Sequence, residues 1–126
     1  SEPKWERGAN RIIARAAFAR LGDIYLIDVK TGKPTPVVEG PYEERDPDWA
    51  PNGNQIVFAS DREGSLDIYT HSLDSNETTA LTSTPDIDEV EPAWSPDGRM
   101  IAYVGISEDP TKPTVSQTVI EVLARA

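Results

Sequence analysis

The sequence contains no cysteine, and its 126 residues include one methionine and one histidine. A chain without cysteine forms no disulfide bond, binds no metal through thiolate and has no sulfur nucleophile. Long apolar runs are also missing, since none approaches the roughly 18 residues that a membrane-spanning helix needs. We therefore predict a chain without a membrane span, whereas the lack of cysteine is compatible with both cytosol and periplasm.

The chain also lacks a signal-peptide pattern, and it begins at Ser1 instead of methionine. We therefore expect a processed N-terminus or excision from a longer chain. This end of the sequence gives no indication of localisation.

Basic side chains are few, with 12 Lys and Arg against 22 Asp and Glu, for a net charge of −10. Residues 1–20 hold five basic and two acidic side chains, so almost all of the excess acid lies in the remainder. An acidic body repels phosphate backbones, and we predict that nucleic acid is not a partner. The charge is explained either by a solvated surface that maintains solubility or by a protein partner with a basic surface.

The sequence lacks the patterns that indicate common active sites. It has no Gly-x-Ser-x-Gly segment, no glycine-rich phosphate loop and no zinc-ligand spacing. His71 occupies the strand position that Ile27 holds one repeat earlier, so we predict a packed histidine and not a catalytic one. We expect no catalytic residue and no enzymatic activity.

One eight-residue segment recurs along the chain. Residues 91–98 read Glu-Pro-Ala-Trp-Ser-Pro-Asp-Gly, residues 46–53 are a near copy, and residues 2–5 are a degraded third copy. We call this segment the Pro-x-Trp element. It contains all three tryptophans, each seven residues before an isoleucine. The predicted structural residues of the repeat are Trp5, Trp49, Trp94, Pro51, Gly53, Pro96, Asp97 and Gly98.

The repeat predicts its own secondary structure. Each intact Pro-x-Trp element ends in a tight turn, because proline presets φ and Asn or Asp before glycine tolerates positive φ. Short strands follow at residues 12–14, 56–59 and 101–104, apolar on both faces and therefore expected to be buried from both sides. Residues 14–20 contain good helix formers, but the repeat register assigns them to a strand and turn.

A period of this length with four short strands is typical of a β-propeller blade. We predict an all-β fold of about three four-stranded β-propeller blades with the last one incomplete. The chain forms one domain, residues 1–126, with repeats at 2–45, 46–90 and 91–126.

Four pieces of the sequence carry a family resemblance: Trp-Ser-Pro-Asp-Gly at 94–98, Ser-Asp-Arg-Glu-Gly at 60–64, Asp-Ile-Tyr at 67–69 and Leu-Thr at 81–82. In this arrangement the chain resembles the WD40-like repeat of TolB-type propellers, most strongly over residues 23–104. The resemblance implies a protein-binding scaffold of the bacterial cell envelope, periplasmic or otherwise exported, although a cytoplasmic location stays open. It also allows an accessory propeller of a serine peptidase whose catalytic domain is absent here.

Acidic residues cluster around the start of each intact Pro-x-Trp element. By the resemblance, this connection lies at one rim of the propeller, near its central channel. We predict a binding rim that captures a basic protein segment or a cation, with a purely solvated rim as the alternative. A weaker hypothesis is Ca²⁺ bound by Asp86, Asp88 and Glu89; no other cofactor is expected. The predicted rim residues are Glu43, Glu44, Asp46, Asp88, Glu89 and Glu91.

Three blades do not close a propeller, which usually has four to eight. The chain is therefore expected either to be part of a longer protein or to form a homodimer with a six-bladed ring. Such a ring could hold a small ligand or a cation in its channel.

Overall fold

The computed structural model describes residues 3–6, 8, 10–18, 21–107, 111 and 115–121. This part of the chain forms eleven β-strands in three antiparallel sheets and contains no helix. It accordingly offers no helix long and apolar enough to cross a membrane. The all-β prediction is confirmed, including the strand assignment of the helix-forming residues 14–18, which lie in the strand Arg11–Phe18.

Each sheet is built from consecutive strands, as expected for propeller blades. Blade 1 has the order β1-β2-β3-β4, blade 2 the order β5-β6-β7-β8, and blade 3 the order β9-β10-β11. The prediction that blade 3 is incomplete concerns residues after 121, which lie outside the described part of the chain. The strands are β1 (Lys4–Trp5), β2 (Arg11–Phe18), β3 (Leu21–Asp28), β4 (Pro34–Val38), β5 (Glu44–Trp49), β6 (Gln55–Glu63), β7 (Ser65–Ser72), β8 (Thr78–Ala80), β9 (Ile87–Trp94), β10 (Met100–Ser107) and β11 (Val115–Glu121).

The tight turns that end the two intact Pro-x-Trp elements are present and nearly identical. Gly53 N donates to Ala50 O at 2.9 Å, and Gly98 N donates to Ser95 O at the same distance. The positive φ lies on the glycines, at 76° and 75°. Asn52 and Asp97, which precede these glycines, are not among the residues with positive φ. Asn52 instead accepts a bond from a backbone N–H two residues later, and so does Asp97.

Apolar side chains fill the two spaces between blades. Between blades 1 and 2 the core is formed by Ile13, Ile24, Val38, Trp49, Ile56, Phe58 and Tyr69. Between blades 2 and 3 it is formed by Val57, Ala59, Ile68 and Ile101, with Trp94 and Tyr103 packed against them. Successive residues of β6 therefore serve opposite interfaces, because side chains alternate across a strand.

Burial from both sides is confirmed for the middle blade alone. The β6 residues at 56–59 have no solvent exposure. In β10, Ile101 is buried against blade 2, whereas Met100, Ala102 and Ile106 are exposed on the opposite face. The prediction was wrong for blade 3 because the described chain places no sheet beyond it to cover that face.

Trp49 and Trp5 show the same effect of position. Trp49 is 6% exposed, since blade 1 covers it and Lys4 O accepts a hydrogen bond from its indole N–H at 2.9 Å. Arg11 also lies over its ring, 5.0 Å from the centroid. Trp5, at the equivalent position of blade 1, is 59% exposed. The exposure of these two indole rings therefore depends on whether a preceding blade packs against them.

Candidate functional site

The acidic residues predicted to form a rim lie at the start of β5 and β9, where each blade meets the preceding one. Glu44 and Glu89 are buried, at 0% and 2% exposure. Glu43, Asp46 and Asp88 are half-buried, and Glu91 is exposed. The structure brings these residues together as two sets, one at each interface between blades; their binding of a partner stays a prediction.

Glu43 and Asp88 make the same contact one repeat apart. Glu43 Oε2 accepts a bond from Gly22 N of blade 1 at 3.4 Å. Asp88 Oδ1 accepts one from Leu66 N of blade 2 at 3.0 Å. In each case the carboxylate accepts a hydrogen bond from a backbone N–H near the beginning of the third strand of the preceding blade. The bond helps to hold the two blades together.

Asp46 and Glu91 occupy a repeated irregularity in their strands. Both have positive φ, 53° and 54°, and both immediately precede a proline. The pairing register shifts at these points, between Arg45 and Asp48 in blade 2 and between the β9 partners of Ala102 and Val104 in blade 3. Asp46 Oδ2 accepts a bond from Glu91 N at 3.1 Å, which joins the two bulges directly.

Glu44 is a buried carboxylate paired with a base. Arg62 Nη2 donates to Glu44 Oε1 at 2.8 Å. The same guanidinium lies over three aromatic rings, at 4.9 Å from Tyr69, 5.3 Å from Tyr42 and 5.7 Å from Phe58. Burial raises the pKa of Glu44 above its ordinary value, and the positive charge of Arg62 opposes that rise.

Glu89 occupies the equivalent position in blade 3, but its neighbour is another acid. The carboxyl group of Asp67 lies within hydrogen-bonding reach of the Glu89 carboxyl group. Burial raises the pKa of Asp67, and the proximity of Glu89 and Asp88 raises it further. Asp67 Oδ1 also accepts a bond from Thr84 N at 3.1 Å. Two buried acids this close favour a shared proton or a cation between them.

The two interfaces have acidic side chains at equivalent positions, but only the first interface also has arginines paired with them. The first holds Arg15, which donates to Glu44 O at 2.9 Å and pairs with Glu43, together with Arg45 and Arg62. Among the described residues, no Lys or Arg forms an ion pair with the acids of the second interface. The three arginines are replaced, at the corresponding positions of the next repeat, by Ala59, Val90 and Ser107.

A cavity of about 240 Å³ opens beside this second interface. Three of its lining residues are the acids Glu63, Asp67 and Asp86, and Ser65 and Ser83 add two hydroxyl groups. Across the described residues, no three acidic or histidine side chains are close enough to hold a metal ion. The positions of Asp86, Asp88 and Glu89 therefore give the calcium hypothesis no support.

His71 is buried, at 4% exposure. Its Nδ1 lies 2.8 Å from Thr78 Oγ1 and its Nε2 lies 3.1 Å from Asn76 Oδ1. Burial lowers the pKa of this imidazole, so the neutral form is favoured near neutral pH. Both ring nitrogens are engaged in a turn of blade 2, as expected for a packed histidine.

Sequence reasoning missed the partners of the acids, above all Arg62 and Asp67. A signal for Asp67 was present, because Asp-Ile-Tyr recurs at residues 23–25 and 67–69 and each aspartate precedes a buried isoleucine. Arg62 has no counterpart in the other repeats, so the repeat pattern gave no reason to select it.

Comparison with known proteins identifies a family and several relatives that resemble this chain in sequence. The chain matches the family described as TolB beta propeller domain over residues 2–120. The uncharacterized peptidase YuxL of Bacillus subtilis (strain 168) is 38% identical over 80 residues, which cover 63% of this chain and 12% of the peptidase. The Tol-Pal system protein TolB of Francisella tularensis subsp. mediasiatica is 40% identical over 56 residues, 44% of this chain and 13% of that protein.

The fold has a close counterpart among solved structures. The structure of putative TolB from Agrobacterium tumefaciens superposes with a TM-score of 0.84 at 22% sequence identity, covering 94% of this chain and 44% of that one. Among the curated relatives that it matches in sequence, the chain spans less than a third of their length. With three stacked blades and a family match over almost all of its residues, the chain belongs to the TolB β-propeller domain family.

Proposed function

We propose that this propeller segment is a non-catalytic scaffold that binds a protein partner carrying a basic surface. The observation that supports it is the unequal distribution of arginine between the two interfaces. The acids of the first interface are paired with arginines within the chain. The equivalent acids of the second interface have no such base among the described residues, and a cavity lined by Glu63, Asp67 and Asp86 opens beside that interface.

Electrostatics favours a basic partner at this position. Carboxylates held near one another repel, and their ionised forms are stabilised by an approaching positive charge. The cavity adjoins the hairpin between β6 and β7 and the segment before β9, so a partner can reach it from one end of the blades. The similarity to a Tol-Pal system protein favours an exported protein of the bacterial cell envelope.

Binding of a labelled peptide rich in lysine and arginine tests the proposal. We expect binding to the basic peptide that weakens roughly tenfold between low and high salt, because rim charges are screened. An acidic peptide of equal length serves as the control. Equal binding of both peptides, or no binding of the basic peptide at low salt, would contradict the proposed function.

A second candidate is an accessory propeller of a peptidase, favoured by the 38% identity to YuxL. In that case the acidic rim faces a catalytic domain of the same polypeptide. The reading frame that contains this sequence distinguishes the two: an adjoining hydrolase domain supports the accessory propeller, and a continuous series of propeller repeats alone supports the scaffold.

A further inference from the structure

Asn52 lies in the exposed turn between β5 and β6 and is followed directly by Gly53. The other asparagines, at positions 10, 54 and 76, precede arginine, glutamine and glutamate. Glycine has no Cβ, so no side chain hinders the approach of the Gly53 nitrogen to a neighbouring group. Of the four asparagines, Asn52 is therefore the one whose side-chain amide is most open to attack by the next backbone nitrogen.

The turn holds both groups that would take part in such an attack. Asn54 N donates to Asn52 Oδ1 at 3.0 Å. This N–H withdraws electron density from Asn52 Cγ and stabilises the negative charge that develops on Oδ1 during attack. Gly53 N donates to Ala50 O at 2.9 Å, and this bond must open before the nitrogen can lose its proton. The turn thus activates the carbon under attack and makes the rate depend on local opening.

The corresponding turn of blade 3 already contains the acid. Asp97 precedes Gly98, and Asp97 Oδ1 accepts a bond from Arg99 N at 3.0 Å, as Asn52 Oδ1 does from the backbone N–H two residues later. An aspartate at position 52 is therefore compatible with this turn. Isoaspartate is not, because its main chain runs through the side-chain carboxyl carbon and gains one atom.

The turn at residues 50–53 contacts both neighbouring blades. On the side of blade 1, Arg11 Nη2 donates to Gly53 O at 3.1 Å, and a Cβ added to Gly53 would lie 2.9 Å from Glu6 Oε2. On the side of blade 3, a Cβ added to Gly98 would lie 3.6 Å from Pro51 Cδ. An additional main-chain atom in this turn would therefore displace groups that contact blade 1 and blade 3.

We propose that Asn52 is a site of spontaneous deamidation and that its isoaspartyl product loosens both interfaces of blade 2. Gly53 N forms a bond to Asn52 Cγ, the bond from Cγ to Nδ2 breaks, and ammonia leaves with the proton from Gly53 N. Water then opens the cyclic imide. Addition at Cγ gives aspartate, and addition at the main-chain carbonyl carbon gives isoaspartate. The reaction requires no bound partner and is separate from the proposed binding function.

Incubation of the folded chain in mildly alkaline buffer, followed by peptide mapping with mass spectrometry, tests the site. We expect aspartate and isoaspartate to accumulate at position 52 and not at the other three asparagines. Asn52→Gln is the matched control, because attack on a glutamine amide requires a larger ring, and we expect no conversion in it. An unmodified position 52, after an incubation that fully converts a synthetic peptide of residues 50–56, would overturn the proposal.

Pro51→Ala tests the dependence on turn opening. Proline restricts the backbone of the turn, so its replacement should make opening more frequent. We expect deamidation at position 52 to become at least about threefold faster. An unchanged rate would show that opening of the turn does not limit the reaction.

The isoaspartyl form, separated by chromatography, tests the effect on the interfaces. Asn52→Asp is the control, since it has the same charge and an ordinary main chain. We expect the midpoint of thermal unfolding to fall by at least about 4 °C in the isoaspartyl form and by less than about 2 °C in Asn52→Asp. Equal midpoints would show that the longer main chain is tolerated and would overturn the proposed loosening of the blades.

Discussion

Arg62 shows how one side chain can stabilise an interface through two kinds of contact. Its guanidinium pairs with Glu44, which has no solvent exposure, and covers the rings of Phe58 and Tyr69. A buried carboxylate without a base is strongly unfavourable, whereas a paired one is tolerated. The stability of the first interface should therefore depend more on this residue than on any exposed ion pair nearby.

Arg62→Met tests this dependence, because methionine retains much of the apolar length and removes the charge. We expect the free energy of unfolding to fall by about 3 kcal/mol, since Glu44 is left buried and unpaired. Urea denaturation followed by circular dichroism measures the change. Adding Glu44→Gln should restore most of the loss.

Arg45→Met is the matched control for that experiment. Arg45 is more exposed and lies 3.7 Å from Glu43, so its loss should cost less than about 0.5 kcal/mol. If Arg62→Met is as stable as Arg45→Met, the ion pair with Glu44 contributes nothing measurable and this account of the interface is wrong.

The first strand of each later blade contains a bulge at an acidic residue before proline. Positive φ is unusual for Asp and Glu, and it is retained here at two equivalent positions. At Asp46 the conformation places a carboxylate oxygen on Glu91 N of the next blade. Glu91 is the exposed member of this pair, whereas Asp46 is half-buried.

Glu91→Gly separates the strain of this conformation from the contacts of the side chain. Glycine adopts positive φ without steric cost, so we expect the free energy of unfolding to rise by about 0.5 to 1 kcal/mol. Ala80→Gly, at an exposed strand position without positive φ, should lower it by about the same amount. Thermal unfolding of both variants measures the difference, and a similar loss in both would show that Glu91 is unstrained.

The strands and turns were predictable because local chemistry determines them. Proline and glycine in residues 50–53 and 95–98 specify the hairpins, and the apolar runs specify the central strands. The bulges were not predictable, since a positive φ at an acidic residue before proline opposes its local preference. The burial of Glu44 and Glu89 was also missed, because it depends on how the neighbouring blade packs.

At the scale of the whole molecule, each interface between blades is formed by a pair of consecutive sheets. Blade 1 contacts blade 2 through β5, and blade 2 contacts blade 3 through β9. The outer faces of blades 1 and 3 are left with exposed apolar side chains, among them Trp5, Met100 and Ile106. The sequence predicted this incompleteness from the number of repeats alone. It did not predict which side chains would be exposed.

Substitution of the two equivalent tryptophans measures the difference between a covered and an uncovered blade. Trp49→Ala should cost about 3 to 5 kcal/mol, because the indole is buried and hydrogen-bonded. Trp5→Ala should cost much less in the isolated chain, about 0.5 kcal/mol. Denaturant unfolding, with light scattering to establish the oligomeric state, provides the measurement.

A large loss for Trp5→Ala would contradict the exposed position of that indole. In that event, a light-scattering mass of two chains would indicate the six-bladed ring of a homodimer, with Trp5 covered by the partner. A monomeric mass would instead count against ring closure by two copies.

The nearest-neighbour arrangement of the blades has a consequence for how such a chain can lengthen in evolution. Duplication of one repeat adds a sheet that packs against the sheet before it, because each repeat contacts only its neighbours. The two copies can then diverge in sequence, and the two interfaces here share their acids but not the three arginines. Repetition therefore supplies the architecture, and substitutions within single repeats give each interface its own charges.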